Sequence, residues 1–208
     1  MNTEKTRIRY QERYEKYGQS KETLGWFKGK QDLRYNALID HLPLSVNSIL
    51  DIGCGFSDGL DFILKKFPDI SYTGVDLVPE FIEVSKMRFP DQNFYCADYT
   101  RIHLDGQYDA LIASGIFNFN TGRNIQEVIQ IFEYTKENRI RYLAFDLLSN
   151  NVDYTMPDNF YYDPEEIIAI VKKFSRRFNI CHLDQPFEFS VFVDFEDDFN
   201  ASTSRFKK

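Results

Sequence analysis

From Val46 onward, short β-branched and aromatic runs alternate with stretches whose apolar residues recur at helical spacing, and glycine, proline or aspartate punctuates each change. SILDI ends in Asp51 and is followed by a glycine loop and a helix with Leu60, Ile63, Leu64 and Phe67 on one face before Pro68. SYTGVD repeats the strand pattern, and the next helix opens at Pro79, where a missing N–H costs nothing, and closes before Pro90. NFYCAD and YDALIAS read as strands three and four, a helix with Ile125, Val128, Ile129 and Phe132 follows, and RYLAFDLL is strand five. Asp163, Pro164 and Glu166 start another helix as cap, first residue and capping-box partner. NICHLD and EFSVFVDF are separated only by a Gln185–Pro186 turn and must pair antiparallel. Right-handed β-α-β crossovers give an α/β fold: a Rossmann-like, doubly wound, seven-stranded sheet, mostly parallel, whose antiparallel last strand lies at its edge.

Ahead of this unit lies an N-terminal helical arm, residues 1–45. Tyr10, Tyr14 and Tyr17 recur at i, i+4 and i+7 before Gly18, which predicts a helix with one aromatic face and a glycine stop. A second helix is expected from Lys30 to Leu42, ended by Pro43. Between them, KETLGWFKG reads either as a lid or as a linker pinned by Trp26. Residues 200–208 lack periodic apolar positions and read as a disordered tail.

Charge narrows the partners. The chain carries 25 basic and 32 acidic side chains, a net −7, too few cations for a nucleic-acid coat. The arm, with nine basic and six acidic residues in positions 1–40, is the exception. Cys54, Cys96 and Cys181 make no CxxC pair and read as reduced thiols. The longest uncharged apolar run, 110–120, is shorter than the roughly 18–20 residues a spanning helix needs, and the opening MNTEKTRIRY has no apolar stretch behind it. A cytoplasmic protein with no membrane and no nucleic-acid partner is expected.

In open α/β sheets ligands sit beyond the carboxyl ends of the strands, so residues directly after each strand hold the chemistry. After strand one come Asp51, Gly53 and Gly55, glycines letting a ligand approach main chain where a Cβ would collide. Strand two ends in Asp76, able to accept two ribose hydroxyl protons, and strand three in Asp98, where an adenine amino group would need an acceptor. Any one of these acids could instead only cap its own turn. Cys54 reads as a small residue in a tight loop, and His41, His103 and His182 form no metal-ligand spacing.

This set, with the antiparallel last strand, resembles the class I S-adenosylmethionine-dependent methyltransferases over about residues 46–195. The resemblance implies a methyltransferase domain at 46–199 and S-adenosylmethionine as cofactor. It places Asp51, Gly53 and Gly55 beside the methionine half, Asp76 on the ribose, Asp98 on the adenine, Leu77 and Tyr99 against the ring, and Ser114 and Gly115 under the methionine. Ser57 stands where the family often has a third glycine. A looser resemblance of 20–38 to the N-terminal part of small-molecule methyltransferases from bacterial sugar and polysaccharide gene clusters implies that Trp26 and Lys28 close over the site. It also brings Gln31 and Arg34 toward the cofactor carboxylate; a pair between Arg34 and an acid is the other reading.

Methyl transfer from a sulfonium demands orientation and desolvation more than a fixed acid or base, so no catalytic residue is assigned. Asn118, Asp146, Asn150, Asn151 and Tyr154, after strands four and five, and Glu188 on the last strand are candidate bases for a hydroxyl acceptor. IASGIFNFN replaces the NPPY-type signature of nucleic-acid amino-methyltransferases, which favours a small polar acceptor. The rivals are a nicotinamide-dependent oxidoreductase, whose G-x-G-x-x-G is broken at Asp58, and a non-catalytic cofactor-binding subunit.

Overall fold

The computed structural model describes residues 3–25, 31–102, 104, 106–185 and 187–196, the side chains of residues 3, 31, 32, 184 and 185 excepted. Two arm helices, α1 (Thr3–Tyr17) and α2 (Gln31–Ile39), precede β1 (Ser48–Ile52), α3 (Leu60–Lys66), β2 (Ser71–Asp76), α4 (Pro79–Arg88) and β3 (Asn93–Cys96). Then come β4 (Ala110–Ala113), α5 (Asn124–Glu137), β5 (Tyr142–Leu148), α6 (Pro164–Phe174), β6 (Arg177–Gln185) and β7 (Glu188–Asp194). One seven-stranded sheet has the order β3-β2-β1-β4-β5-β7-β6, parallel from β3 through β5, with β7 antiparallel to both neighbours.

Alternation along each strand divides the core. Leu50, Ile52, Leu111, Leu143 and Phe145 point to the face covered by α5 and α6, and Ile49, Tyr72, Ile112 and Ala144 to the face covered by α2, α3 and α4. Both faces are covered, which accounts for the unbroken burial of β4 and β5, Asp146 included. The Asp163 carboxylate caps α6 by accepting from Glu165 N–H at 2.8 Å, with Pro164 at the first helical position, as the sequence predicts.

Several expectations need correction. The antiparallel strand does not lie at the sheet edge: β7 is inserted between β5 and β6, and β6 takes the edge. Burial explains the exchange, because Phe189, Val191 and Val193 of β7 are fully enclosed, whereas β6 carries half-exposed Cys181 and His182 and the exposed Asn179 and Leu183. Asp194, an acid at the end of β7, is buried and paired with Arg141 at 3.2 Å and Arg177 at 3.1 Å. Helix α2 stops at Ile39, short of Leu42, and Asp146 lies within β5 rather than after it.

Helix α1 docks through its aromatic face. Tyr10 meets Phe81 edge-on at 6.1 Å, and Tyr14 sits 6.0 Å from both Phe56 and Phe81, contacts of roughly 0.5–1.5 kcal/mol each. Tyr17 continues the row but is exposed. Gly18, at φ +61°, closes the helix by donating its N–H to Tyr14 C=O at 2.8 Å. On its other side α1 reaches across to Asp158 through Arg9 at 3.2 Å. It therefore bridges α4 and the segment between β5 and α6, over the carboxyl ends of the strands.

Candidate active site

The sheet order reverses between β1 and β4, and the loops leaving those strands part there to open a crevice. A cavity of about 1120 Å³ occupies this position. Gly53, Gly55, Asp76, Leu77, Asp98, Tyr99, Ser114, Gly115 and Arg34 all line it. Asp51 does not; it lies behind the loop, inside β1, buried and accepting from Tyr72 O–H at 2.6 Å. Trp26, Lys28 and His103 fall outside the described residues.

The first loop is pinned to β2, because Gly53 and Cys54 both donate N–H to Val75 C=O, at 2.7 and 3.2 Å. Gly53 has φ +74°, and a Cβ there would collide with Ile116 Cγ2. Gly55, at φ +56°, faces Leu24 of the arm. Ser57, at the position of the family's third glycine, keeps a left-handed φ of +57° and buries its hydroxyl, which donates to Ser85 Oγ at 2.9 Å. Ser85 in turn donates to Gly55 C=O at 3.1 Å, so the serine replaces conformational freedom with a tether. Cys54 is buried, and burial pushes its thiol well above the ordinary range, as befits a packing residue rather than a nucleophile.

Asp76 accepts N–H from Gly55 at 3.0 Å and from Val78 at 2.9 Å. A carboxylate has about four lone-pair sites, so this fixed group retains acceptor capacity toward the cavity. Burial pushes its pKa up to about 6 against those hydrogen bonds. Asp51 is pushed further, to about 7, by burial that outweighs the Tyr72 hydrogen bond and by the nearby Asp76 and Asp146. Asp98 accepts from Thr100 N–H at 3.0 Å and Thr100 O–H at 2.8 Å, capping its own turn while facing the cavity.

Across the crevice the supports are side chains. The Asp146 carboxylate accepts Ser114 O–H and Gly115 N–H, each at 2.7 Å, and so sets the turn after β4. Arg34 on α2 forks onto Glu188, with Nε donating to Oε2 at 2.8 Å and Nη2 to Oε1, and lies 3.6 Å from Asp146. All three are buried. Of the candidate bases, Asn118, Asn151, Tyr154 and Glu188 line the cavity, whereas Asp146 and Asn150 do not. His41, beside Phe192, and His182, beside Phe189, are not on its wall.

Sequence reasoning missed Thr6 and Arg9 of α1, Ile116, and most of 151–161. The 151–161 segment has no periodicity to read, and only the charged, aromatic character of the arm hinted at the rest.

The residues present suit the cofactor that the resemblance implies: Gly53 and Gly55 bring left-handed main chain to the cavity wall, and Asp76 is rigidly held with acceptor capacity to spare. Comparison with known proteins agrees. The family model described as "Methyltransferase domain" matches residues 50–148. The malonyl-[acyl-carrier protein] O-methyltransferase of Acetivibrio thermocellus is 32% identical over 102 residues, covering 46% of this chain and 36% of that protein, so the chain spans about a third of that relative's length. A methyltransferase of Mycobacterium tuberculosis is 29% identical over 161 residues, covering 73% of this chain and 93% of that protein. In fold, the magnesium protoporphyrin IX methyltransferase of Synechocystis, solved with bound S-adenosylhomocysteine, superposes with a TM-score of 0.59 at 13% identity over 80% of this chain and 82% of that one. A glycine turn, strand-end acids and an inserted antiparallel β7, joined to these matches, make the chain similar to the class I S-adenosylmethionine-dependent methyltransferases, with the methyltransferase-domain match at residues 50–148.

Proposed function

We propose that the chain catalyses methyl transfer to a small-molecule acceptor. The observation that carries this reading is the single cavity spanning the β1/β4 switch point. Its volume of about 1120 Å³ exceeds the roughly 300–1,000 Å³ usual for one small ligand, which leaves room for donor and acceptor side by side.

S-adenosylmethionine, when bound, supplies an activated methyl group on a sulfonium. The chain's residues supply place and dryness. Asp76 would hold the ribose hydroxyls, Leu77 and Tyr99 would hold the adenine ring, and Asp98 would accept from its amino group. Gly53 and Gly55 would hold the methionine half through main chain, and Ser114 and Gly115, fixed by Asp146, would serve the same part. Arg34 carries positive charge on the same wall, although its fork is engaged by Glu188. Helix α1 covers the strand ends, excluding water and so strengthening each polar contact.

Calorimetry with S-adenosylhomocysteine and, separately, NADH tests the reading. The first should bind and the second should not. Asp76→Ala should weaken S-adenosylhomocysteine about a hundredfold, since a charge-assisted hydrogen bond is worth about 1.5–3 kcal/mol. Binding of NADH alone would transfer the chain to the oxidoreductases.

A further inference from the structure

The acceptor's chemical class is written in the half of the cavity over β4, β5 and β7. Three observations on the cavity wall bear on it. First, two buried polar atoms on the wall, Thr6 Oγ1 and Asn118 Oδ1, have no hydrogen-bond partner among the described residues, and Thr6 is only 9% exposed. Buried polar groups are almost always satisfied, so each, on a cavity wall, marks a place for a ligand's polar group. A carbonyl oxygen accepts, and a threonine hydroxyl accepts or donates, so each can receive an O–H or N–H.

Second, every guanidinium on this wall is already held, among the described residues, by an acid or a carbonyl. Arg9 pairs with Asp158 and lies 4.4 Å over the Phe119 ring, Arg13 donates to Thr23 C=O at 2.8 Å and to Glu22 C=O, and Arg34 forks onto Glu188. Asp153 adds a further negative charge at the mouth. Third, Tyr154, Met156 and Phe187 are large apolar wall residues left 72%, 48% and 38% exposed. Exposed apolar surface gathered at a cavity mouth is a binding surface rather than packing.

We infer that the acceptor is a small aromatic molecule bearing a hydroxyl or amine, without an anionic group, whose O–H or N–H is held by Thr6 and Asn118 while its ring lies against Tyr154, Met156 and Phe187. This rests on the methyltransferase reading. In the transfer the acceptor's oxygen or nitrogen forms the bond to the methyl carbon as the carbon–sulfur bond breaks. The bonding pair stays on sulfur, which becomes a neutral thioether, and the acceptor's proton passes to water at the open mouth. The class differs from the carboxylate-bearing substrate in the name of the Acetivibrio relative.

The test is a ligand-observed NMR screen of the full chain, saturated with S-adenosylhomocysteine, against phenols, anilines and phenethylamines matched with benzoates and aliphatic dicarboxylates. Members of the first set should bind, and Thr6→Val and Asn118→Ala should each weaken them about tenfold while leaving the calorimetric affinity for S-adenosylhomocysteine unchanged. Incubation of the best binders with S-adenosylmethionine should give a singly methylated product at oxygen or nitrogen. Preferential binding of the carboxylates, binding of neither set, or indifference to both substitutions would overturn the inference and leave the methyltransferase reading standing. Absence of S-adenosylhomocysteine binding would instead remove the earlier reading, and this one with it.

Discussion

On the β1–β3 side of the cavity the wall is main chain fixed by short-range bonds, whereas over β4, β5 and β7 it is made of side chains tied across long stretches of sequence. Gly53, Cys54, Gly55 and Val78 all make their key hydrogen bonds to residues between β1 and the start of α4. By contrast Arg34 reaches Glu188, 154 positions away, and Arg9 reaches Asp158, 149 positions away. A wall built from backbone turns tolerates few substitutions but presents one fixed surface. A wall built from side-chain pairs can change its lining without disturbing the sheet, which suits one constant ligand and one variable one.

The deepest cut across this division is Arg34→Met. Glu188 would remain as a buried, uncompensated carboxylate, and breaking such a pair typically costs about 3–5 kcal/mol. Urea denaturation should show that loss, and Arg34→Met combined with Glu188→Leu should recover most of it. A fall of under about 1 kcal/mol would mean that water screens the pair, and the acceptor wall would then be softer than its burial indicates.

The corresponding cut on the backbone side is Gly53→Ala. The left-handed φ of +74° costs a side-chain-bearing residue roughly 1–2 kcal/mol, and the new Cβ meets Ile116 Cγ2 as well. A total near 2–3 kcal/mol is expected, measurable in the same denaturation series. Adding Ile116→Ala should relieve the collision and leave the φ penalty untouched. Full recovery would show that sterics alone, and not the turn conformation, demand glycine.

Protonation divides the two sides as well. Asp76, raised to about 6, must be ionised to accept hydroxyl protons, so S-adenosylhomocysteine affinity should be flat above that value and fall up to tenfold per pH unit below it. The unliganded fold should respond in the opposite sense. A carboxyl whose pKa is raised on folding binds more protons in the native state than in the unfolded chain. Stability associated with Asp51 and Asp76 is therefore present below the ordinary carboxylate range and is lost as pH rises toward about 6 and 7. Asp51→Asn should flatten the upper part of that decline without moving the binding profile. Loss of the binding inflection in Asp51→Asn would reassign it to the residue behind the loop.

Legibility in the sequence follows the same boundary. The order of strands and helices, the strand-end acids and the glycine turn could be read because each depends on spacing within a few residues, as in SILDIGCG or DPEE. The place of β7 could not, since hairpin geometry fixes its direction relative to β6 but says nothing of which strand of the pair lies against β5. Glu188 carried no local mark of its pairing with Arg34, and Thr6 none of its place on the cavity wall, because both follow from how the arm folds back over the sheet. Asp51 shows the opposite failure: its position beside the glycines suggested a ligand contact, but strand alternation turns its side chain toward Tyr72.

The smallest expected effect concerns Ser57, the one place where the backbone-built side departs from the family's glycine pattern. Ser57→Gly removes a left-handed strain of about 1 kcal/mol but also deletes the buried hydrogen bond to Ser85, worth about 1 kcal/mol, so its stability should stay within about 0.5 kcal/mol of the parent. Ser57→Ala keeps the strain and loses the bond, and should melt lower by an amount corresponding to about 1 kcal/mol. Because Ser85 still donates to Gly55 C=O in both variants, the loop retains one anchor and S-adenosylhomocysteine affinity should change little. If Ser57→Gly fell below the parent by as much as Ser57→Ala, the hydroxyl's bond to Ser85 would outweigh the turn conformation. The glycine-built side of the cavity would then also rest on a side-chain pair, and the division between the two walls would be one of degree.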